Sequence, residues 1–531
     1  MTEPAANSAD GERKKLAGRA GVVAAGTLAS RLLGLLRDMA IAALFGRDVN
    51  DAFFVAFTIP NALRQLFAEG AVSSAVVPVL SKKLEESDAA AAKFHARVRG
   101  LWIVLLLAVT ALGMLCARPL SDLFASGYHK NPPQFERTVA LTRAVFPYIF
   151  FMGMAALGGA ALNAKRRFVT SAFAPGLLNV AFLLSAFALP TFLVSRGIDL
   201  AMTLAIGALF GGLLQVVAQW PALSRIGFGG RPRFDFWGDR DVGDMLKRIA
   251  PMTFGIGVYY IDLVLSRRFL SELGEGAQSY FSWASRLCDF PQGIFVMAIS
   301  TAALPALSSL AARGDHEELK KTFAHGLRLS LFVAIPCSFA LAALGEPLVA
   351  LLFQRGKFDA VSTHETARAL VFQGGSIWTV AVVRQLVPVF YALGDTRKPV
   401  IVSALDLLVF IVLAITLKGP LGHVGISIAV GGSSFVQMLL LWFALRARLG
   451  PLLDAEMTRS VGTTVAASVV ASVGGAGTVR LVGLGSAWLS GILSSLVFVG
   501  LFLLLGYGLR SRDQEAVFAA VGRRLRRRRA A

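Results

Sequence analysis

The sequence predicts an all-α polytopic membrane protein of fourteen transmembrane helices, built as two six-helix lobes with two further helices at the C-terminal end. Three observations carry this expectation. The 531 residues are 55% hydrophobic and only 16% charged, with a mean hydropathy of +0.63, a balance that fits a chain living in lipid. Apolar windows of about twenty residues, the length that crosses a hydrocarbon core, recur along the whole chain. Short sequences also repeat in order at nearly one offset.

Taken in order, the first 17 residues are polar and carry Arg13, Lys14 and Lys15, with no small-residue cleavage site after a short apolar core. They read as a cytoplasmic start, not a cleaved signal. Spans are expected near 20–45, 51–81, 100–117, 138–163, 170–194, 199–222, 249–270, 277–311, 322–345, 362–393, 399–417, 422–445, 460–482 and 485–509. Several exceed the bilayer thickness, which implies tilted or protruding helices. Pro60, Pro147, Pro175, Pro291 and Pro388 fall inside spans, where each removes a backbone hydrogen bond and allows a bend.

Orientation follows from Lys and Arg in the links. With the N-terminus inside, the inside links carry 34 of the 53 basic residues and the outside links 11. Both termini are therefore expected in the cytoplasm. The same bias accounts for most of the net charge of +20, so the basicity orients the chain in a membrane and does not mark a nucleic-acid partner. The tail run Arg523–Arg529 fits contact with anionic headgroups.

The repeat sets the domain plan. Ser73–Ser81 (SSAVVPVLS) matches Ser300–Ser308 (STAALPALS) at an offset of 227. Pro119-Leu120 matches Pro347-Leu348 at 228, and Ala161–Val169 matches Ala392–Val400 at 231. Six spans per unit is an even number, which puts both copies in one orientation, related by a pseudo-twofold axis along the membrane normal. The expected domains are a tail (1–19), an N-lobe (20–222), a cytoplasmic linker (223–248), a C-lobe (249–445), a two-helix appendage (446–510) and a basic tail (511–531). Two facing lobes are a transporter design that works by alternating access.

Charges inside the spans mark the candidate site. Arg31, Arg37 and Asp38 lie in the first span, with Arg64 and Glu69 in the second. A charge at mid-membrane costs about 2.5–3.5 kcal/mol on insertion scales, so such residues face protein or water. Arginine stays charged and offers a planar fork that matches phosphate or carboxylate oxygens. The excess of positive charge favours a cationic, water-filled cavity for an anionic group. The other reading is pure ion-pair architecture, with Arg37 on Asp38 or on another helix. The second lobe adds Arg286, three residues from Asp289, and Arg384, which could also snorkel to its cytoplasmic end. Asp262 and Asp406 have no basic residue one turn away in their own helices. A buried unpaired carboxylate would take up a proton or bind a cation, which would let an ion gradient or the membrane potential drive the cycle; a polar interhelical contact is the alternative.

Other chemistries lack their signatures. The sequence has no GxxxxGK[ST] phosphate loop and hence no built-in ATPase. Neither the six histidines nor Cys116, Cys288 and Cys337 have metal-like spacing. No metal or protein-bound cofactor is expected. Loops are short, with no extramembrane domain to hold a pair of catalytic acids.

SRLLGLLRD (Ser30–Asp38), DAFFVAF…PNALRQLFAEGA (Asp51–Ala71), the AVVPVLS that follows and SRLCDFPQGIF (Ser285–Phe295) resemble the MurJ (MviN) family of lipid II flippases. The resemblance spans essentially the whole chain. It implies a central cationic cavity between two lobes and an added helix pair that grooves a polyprenyl tail. Carried over by motif, the family's essential arginines fall on Arg31, Arg37, Arg64 and Arg286, with Asp38, Asp51 and Glu69 in the same motifs; Arg384, Asp262 and Asp406 match no such motif. The implied partner is lipid II, a polyprenyl pyrophosphate bearing a disaccharide-peptide, handled by a monomer in the bacterial cytoplasmic membrane. An exporter of another lipid-linked oligosaccharide or of drugs is the runner-up, although cationic drugs call for an acidic cavity. A membrane scaffold for cell-wall enzymes is the alternative from a different class.

Overall fold

The computed structural model describes the backbone of residues 3–64, 71–255, 257–482, 486–509 and 513–514, and side chains over 21–23, 25–64, 75–247, 260–293, 295–479, 486–509 and 513–514. Among the described residues the regular structure is helical throughout. The chain forms two compact units, Met1–Glu272 and Leu273–Ala531.

Among the described residues, ten helices are long and apolar enough to cross a membrane, so this is a multi-pass membrane protein. They correspond to the expected spans 3–6 and 9–14. The other four expected spans are not among these ten. The first is the long helix Glu3–Leu44; the second is described as Arg47–Arg64 and Ala71–Glu86; the seventh is Arg240–Gly255 with Gly257–Ser271; and the eighth is Ala277–Pro291, a π-helical turn Gln292–Val296 and Met297–Ala312.

Prolines explain two of the interruptions. The helix Pro132–Val145 ends before Pro147 and restarts as Tyr148–Ala164, and the π-turn begins directly after Pro291. Pro60, Pro175 and Pro388 sit in continuous helices. The break between Ala360–Gly375 and Ile377–Ala392 has no proline and follows Gly374-Gly375.

In the first unit the core is built on Asp88–Leu115. Its Phe94, Val98, Trp102 and Leu106 pack with Val76 and Leu80 and with Ile149, Leu157 and Ala161 of Tyr148–Ala164. Gly113 is required here, because a Cβ would stand 1.7 Å from the Phe146 ring. The helix Gly257–Ser271 belongs to this unit, not beyond its boundary: it packs on Ala117–Ala125, and the Gly127 N–H donates to Ser271 Oγ at 3.0 Å. In the second unit Leu327, Leu331 and Ile335 of His316–Ala343 meet Leu386, Val389 and Phe390 of Ile377–Ala392 and Leu441 and Leu445 of His423–Leu449. A separate cluster docks the last two helices, Ala455–Val482 and Ala487–Gly508: Ala467, Ala471, Phe498 and Phe502 close on Phe332 and Leu344.

Some elements recur at one spacing along the chain. Ala117–Ala125 and Gly345–Phe353 are nine-residue helices 228 positions apart, and the interrupted pairs ending at Ala164 and Ala392 differ by the same 228.

Candidate functional site

Arg37 is the best-defined of the expected site residues. Its Nε and Nη2 donate to Asp38 Oδ1 at 2.9 and 2.7 Å, and Nη1 donates to Asn179 Oδ1 at 3.0 Å. Asn179, on Phe168–Ala188, returns a bond from Nδ2 to the Ser30 carbonyl at 2.9 Å. This ties the first helix to the fifth expected span. The guanidinium carbon also lies 5.4 Å from the centroid of Phe182, within cation–π range. Phe182 belongs to an aromatic cluster in which Phe57 stands 6.0 Å from Phe182 and 5.3 Å from Tyr148. Arg37 is ion-paired with Asp38, and among the described residues these bonds engage three of its five N–H groups.

The other expected site charges of the first unit sit on the first helix, on Arg47–Arg64 and on Gly257–Ser271. Asp51 is buried within it. Arg64 Nε donates to Asn61 Oδ1 at 3.0 Å. Arg31 is half-buried on the first helix, one side of a seven-residue interval from Asp38. Two side chains of Gly257–Ser271 reach the Arg47–Arg64 helix in antiparallel order: Tyr260 Oη donates to the Ala62 carbonyl at 2.8 Å, and Arg267 lies over the Phe54 ring at 6.0 Å. Asp262 is therefore on a helix of the first unit. Glu69 lies outside the described residues.

In the second unit Arg286 and Asp289 share the exposed stripe of Ala277–Pro291, whose other positions are largely buried. Arg384 is half-buried next to the π-turn, where its carbonyl accepts from Ser300 Oγ at 2.7 Å. Asp406 is half-buried on Arg397–Leu421, beside Ser433 of His423–Leu449, and its Oδ1 is buried with no hydrogen-bond partner among the described residues. Gln437 donates to Ser403 Oγ at 3.3 Å in the same helix pair, so a polar seam runs between two helices whose outer faces are apolar.

Three participants escaped sequence reasoning. Asn179 and Phe182 hold Arg37 from another helix; a lone Asn in an apolar run is the signal that could have flagged it. Arg267 counts as a loop charge by position, yet it sits over Phe54.

Among the described residues, ten helices long and apolar enough to cross a membrane define a multi-pass helical membrane protein. The family model described as lipid II flippase MurJ matches residues 41–505, and the chain belongs to that family. It is 36% identical over 431 residues to a lipid II flippase MurJ of Burkholderia cenocepacia, covering 80% of this chain and 82% of the relative. A probable lipid II flippase MurJ of Rhizobium meliloti is 33% identical over 462 residues, covering 85% and 84%. Among solved structures, a lipid II flippase MurJ in an inward closed conformation matches with a TM-score of 0.75 at 22% identity, over 92% of this chain and 98% of that one. An inward-facing multidrug transporter of the MATE family matches with a TM-score of 0.64 at 16% identity, over 80% and 95%. At these identities the two structures share the fold.

Proposed function

We propose that this chain flips lipid II from the cytoplasmic to the outer face of the bacterial cytoplasmic membrane by alternating access, supplying cell-wall synthesis. The observation that carries the reading is Arg37: an oriented guanidinium in the first helix of a chain whose relatives are named for this activity. Asp38 and Asn179 fix its plane, and its remaining N–H groups suit pyrophosphate oxygens. Arg31, Arg64, Arg286 and Arg384, with Asp38, Asp51 and Glu69, complete the proposed headgroup site.

The finer architecture belongs to the same proposal: fourteen spans, two six-helix lobes related along the membrane normal, both termini in the cytoplasm, and one copy of the chain as the working unit. The equal offset of 228 between matching elements supports the duplication. The last two helices form the groove for the polyprenyl tail. Asp262 and Asp406 couple the cycle to a cation or to the membrane potential.

Neutralising Arg37 or Arg286 tests the reading. A flippase loses lipid II translocation while the variant still accumulates in the membrane. A scaffold keeps its function with either substitution, and that result would exclude the proposal.

A further inference from the structure

The link between Met202–Arg225 and Arg240–Gly255 has two faces with opposite chemistry. Its inner face is pinned to the first unit. Phe228 and Phe236 are buried in the core there, and the Arg233 N–H donates to the Ala96 carbonyl at 2.9 Å. Arg97 pairs with Asp235 at 3.0 Å and with Asp239. The strap lies so close to Asp88–Leu115 that a Cβ on Gly100 would stand 1.9 Å from the Arg233 carbonyl oxygen.

On the outer face Phe234 is 56% exposed and Trp237 is 88% exposed. Because their neighbours are clamped, this exposure is a built feature and not the fraying of a loose loop. The charges are sorted in the same way. Asp235 is taken by Arg97 and Arg233, Asp239 by Arg97, Asp241 by Lys83 and Asp244 by Lys247. Arg225, Arg231 and Arg240 are exposed and have no carboxylate partner among the described residues. Two aromatics and three uncompensated arginines thus occupy sixteen residues at the end of a membrane-length helix.

We infer that this strap is an interfacial anchor. Phe234 and Trp237 enter the headgroup layer of the adjoining leaflet, and Arg225, Arg231 and Arg240 meet anionic phospholipid there. Trp settles at headgroup level because its ring is amphipathic, and surface arginines are drawn to the negative potential of anionic lipid. An aqueous protein partner is the competing occupant; the three arginines run from the last residue of one helix to the first of the next, beside the exposed aromatics, and this favours lipid. The inference rests on the proposed reading that this end of the helices is cytoplasmic.

The test uses the full chain in nanodiscs of phosphatidylcholine, with or without phosphatidylglycerol, containing lipid brominated near the headgroup. Subtracting the emission of a Trp237→Phe variant isolates the signal of Trp237. Quenching of that signal, stronger with the anionic lipid, is the expected result. Arg231→Gln and Arg240→Gln should each weaken the anionic preference about fivefold, the factor that corresponds to about 1 kcal/mol per arginine. An unquenched Trp237, or quenching indifferent to lipid charge, would overturn the anchor. Sidedness is read separately: cleavage of the strap by protease added outside intact cells would overturn the cytoplasmic reading, whatever the quenching shows.

Discussion

Arg37 and Asn179, 142 residues apart, are joined by a 3.0 Å hydrogen bond, and Asn179 in turn holds the Ser30 carbonyl at 2.9 Å. One amide on the fifth expected span thereby sets the direction of the arginine on the first. Asn179→Ala is expected to cost about 1 kcal/mol of stability, the usual size of a polar contact between membrane helices. Its effect on flipping should be much larger, because Arg37 loses its orientation. Thermal unfolding in detergent beside a translocation assay separates the two.

Arg37→Ala and Arg64→Ala should abolish flipping while the protein accumulates normally in the membrane. Arg37→Lys should also be impaired, since an ammonium cannot reproduce the fork that meets Asp38 and Asn179 together. Cell-fractionation blots with a translocation readout test this, and full activity of the Ala variants would remove these residues from the headgroup site.

The strap gives a packing prediction and a pH prediction. Gly100→Ala should cost about 1–3 kcal/mol by pushing the strap off the helix, seen as a lower Tm and faster proteolysis within residues 227–239. Asp235 is held well below the usual carboxylate range, first by Arg233 and then by Arg97. A depressed folded-state value stabilises the strap fully above the unfolded-state value of about 4, and the contribution fades as pH falls below it. Limited proteolysis should therefore be flat from neutral pH down to about 5 and rise only in stronger acid.

The glycines of the last two helices divide by contact. Gly474, Gly475 and Gly491 face Leu501, the Ser494 carbonyl and the Pro347 carbonyl, whereas Gly477 and Gly500 face open space. Gly491→Ala, whose Cβ would lie 2.5 Å from that carbonyl, should lower stability. Gly500→Leu should leave stability unchanged and reduce crosslinking of a polyprenyl probe to Ala487–Gly508. Unchanged crosslinking with Gly477→Leu and Gly500→Leu together would place the tail elsewhere.

Asp406 carries a buried Oδ1 with no hydrogen-bond partner among the described residues. Moving one charge through the membrane field is worth about 2.3 kcal/mol per 100 mV, enough for one cation per cycle to bias the resetting step. Asp406→Asn and Asp262→Asn should slow turnover and flatten its dependence on potential or cation, while headgroup binding survives. Normal rates and unchanged potential dependence in both would make these acids structural.

Much of the fold was legible because hydrophobicity and helix length are local properties. The ten apolar spans, the bend at Pro147 and the interruption after Pro291 all follow from residues next to one another in sequence. Partnerships across the fold were not legible. Nothing near Arg37 names Asn179 as its partner, and nothing near Arg97 names Asp235. Arg267 looks like a loop charge until Gly257–Ser271 packs on Ala117–Ala125 and brings it over Phe54. The break at Ser376 escaped notice because two glycines, and no proline, precede it.

The most direct measurement is the amount of lipid II accessible on the outer face of cells depleted of their own flippase and supplied with this chain. The wild-type chain is expected to restore accessible lipid II, and the Arg37→Ala variant, present at equal level in the membrane, is not. Equal accessibility with the wild-type chain, with the variant and with no chain at all would contradict it.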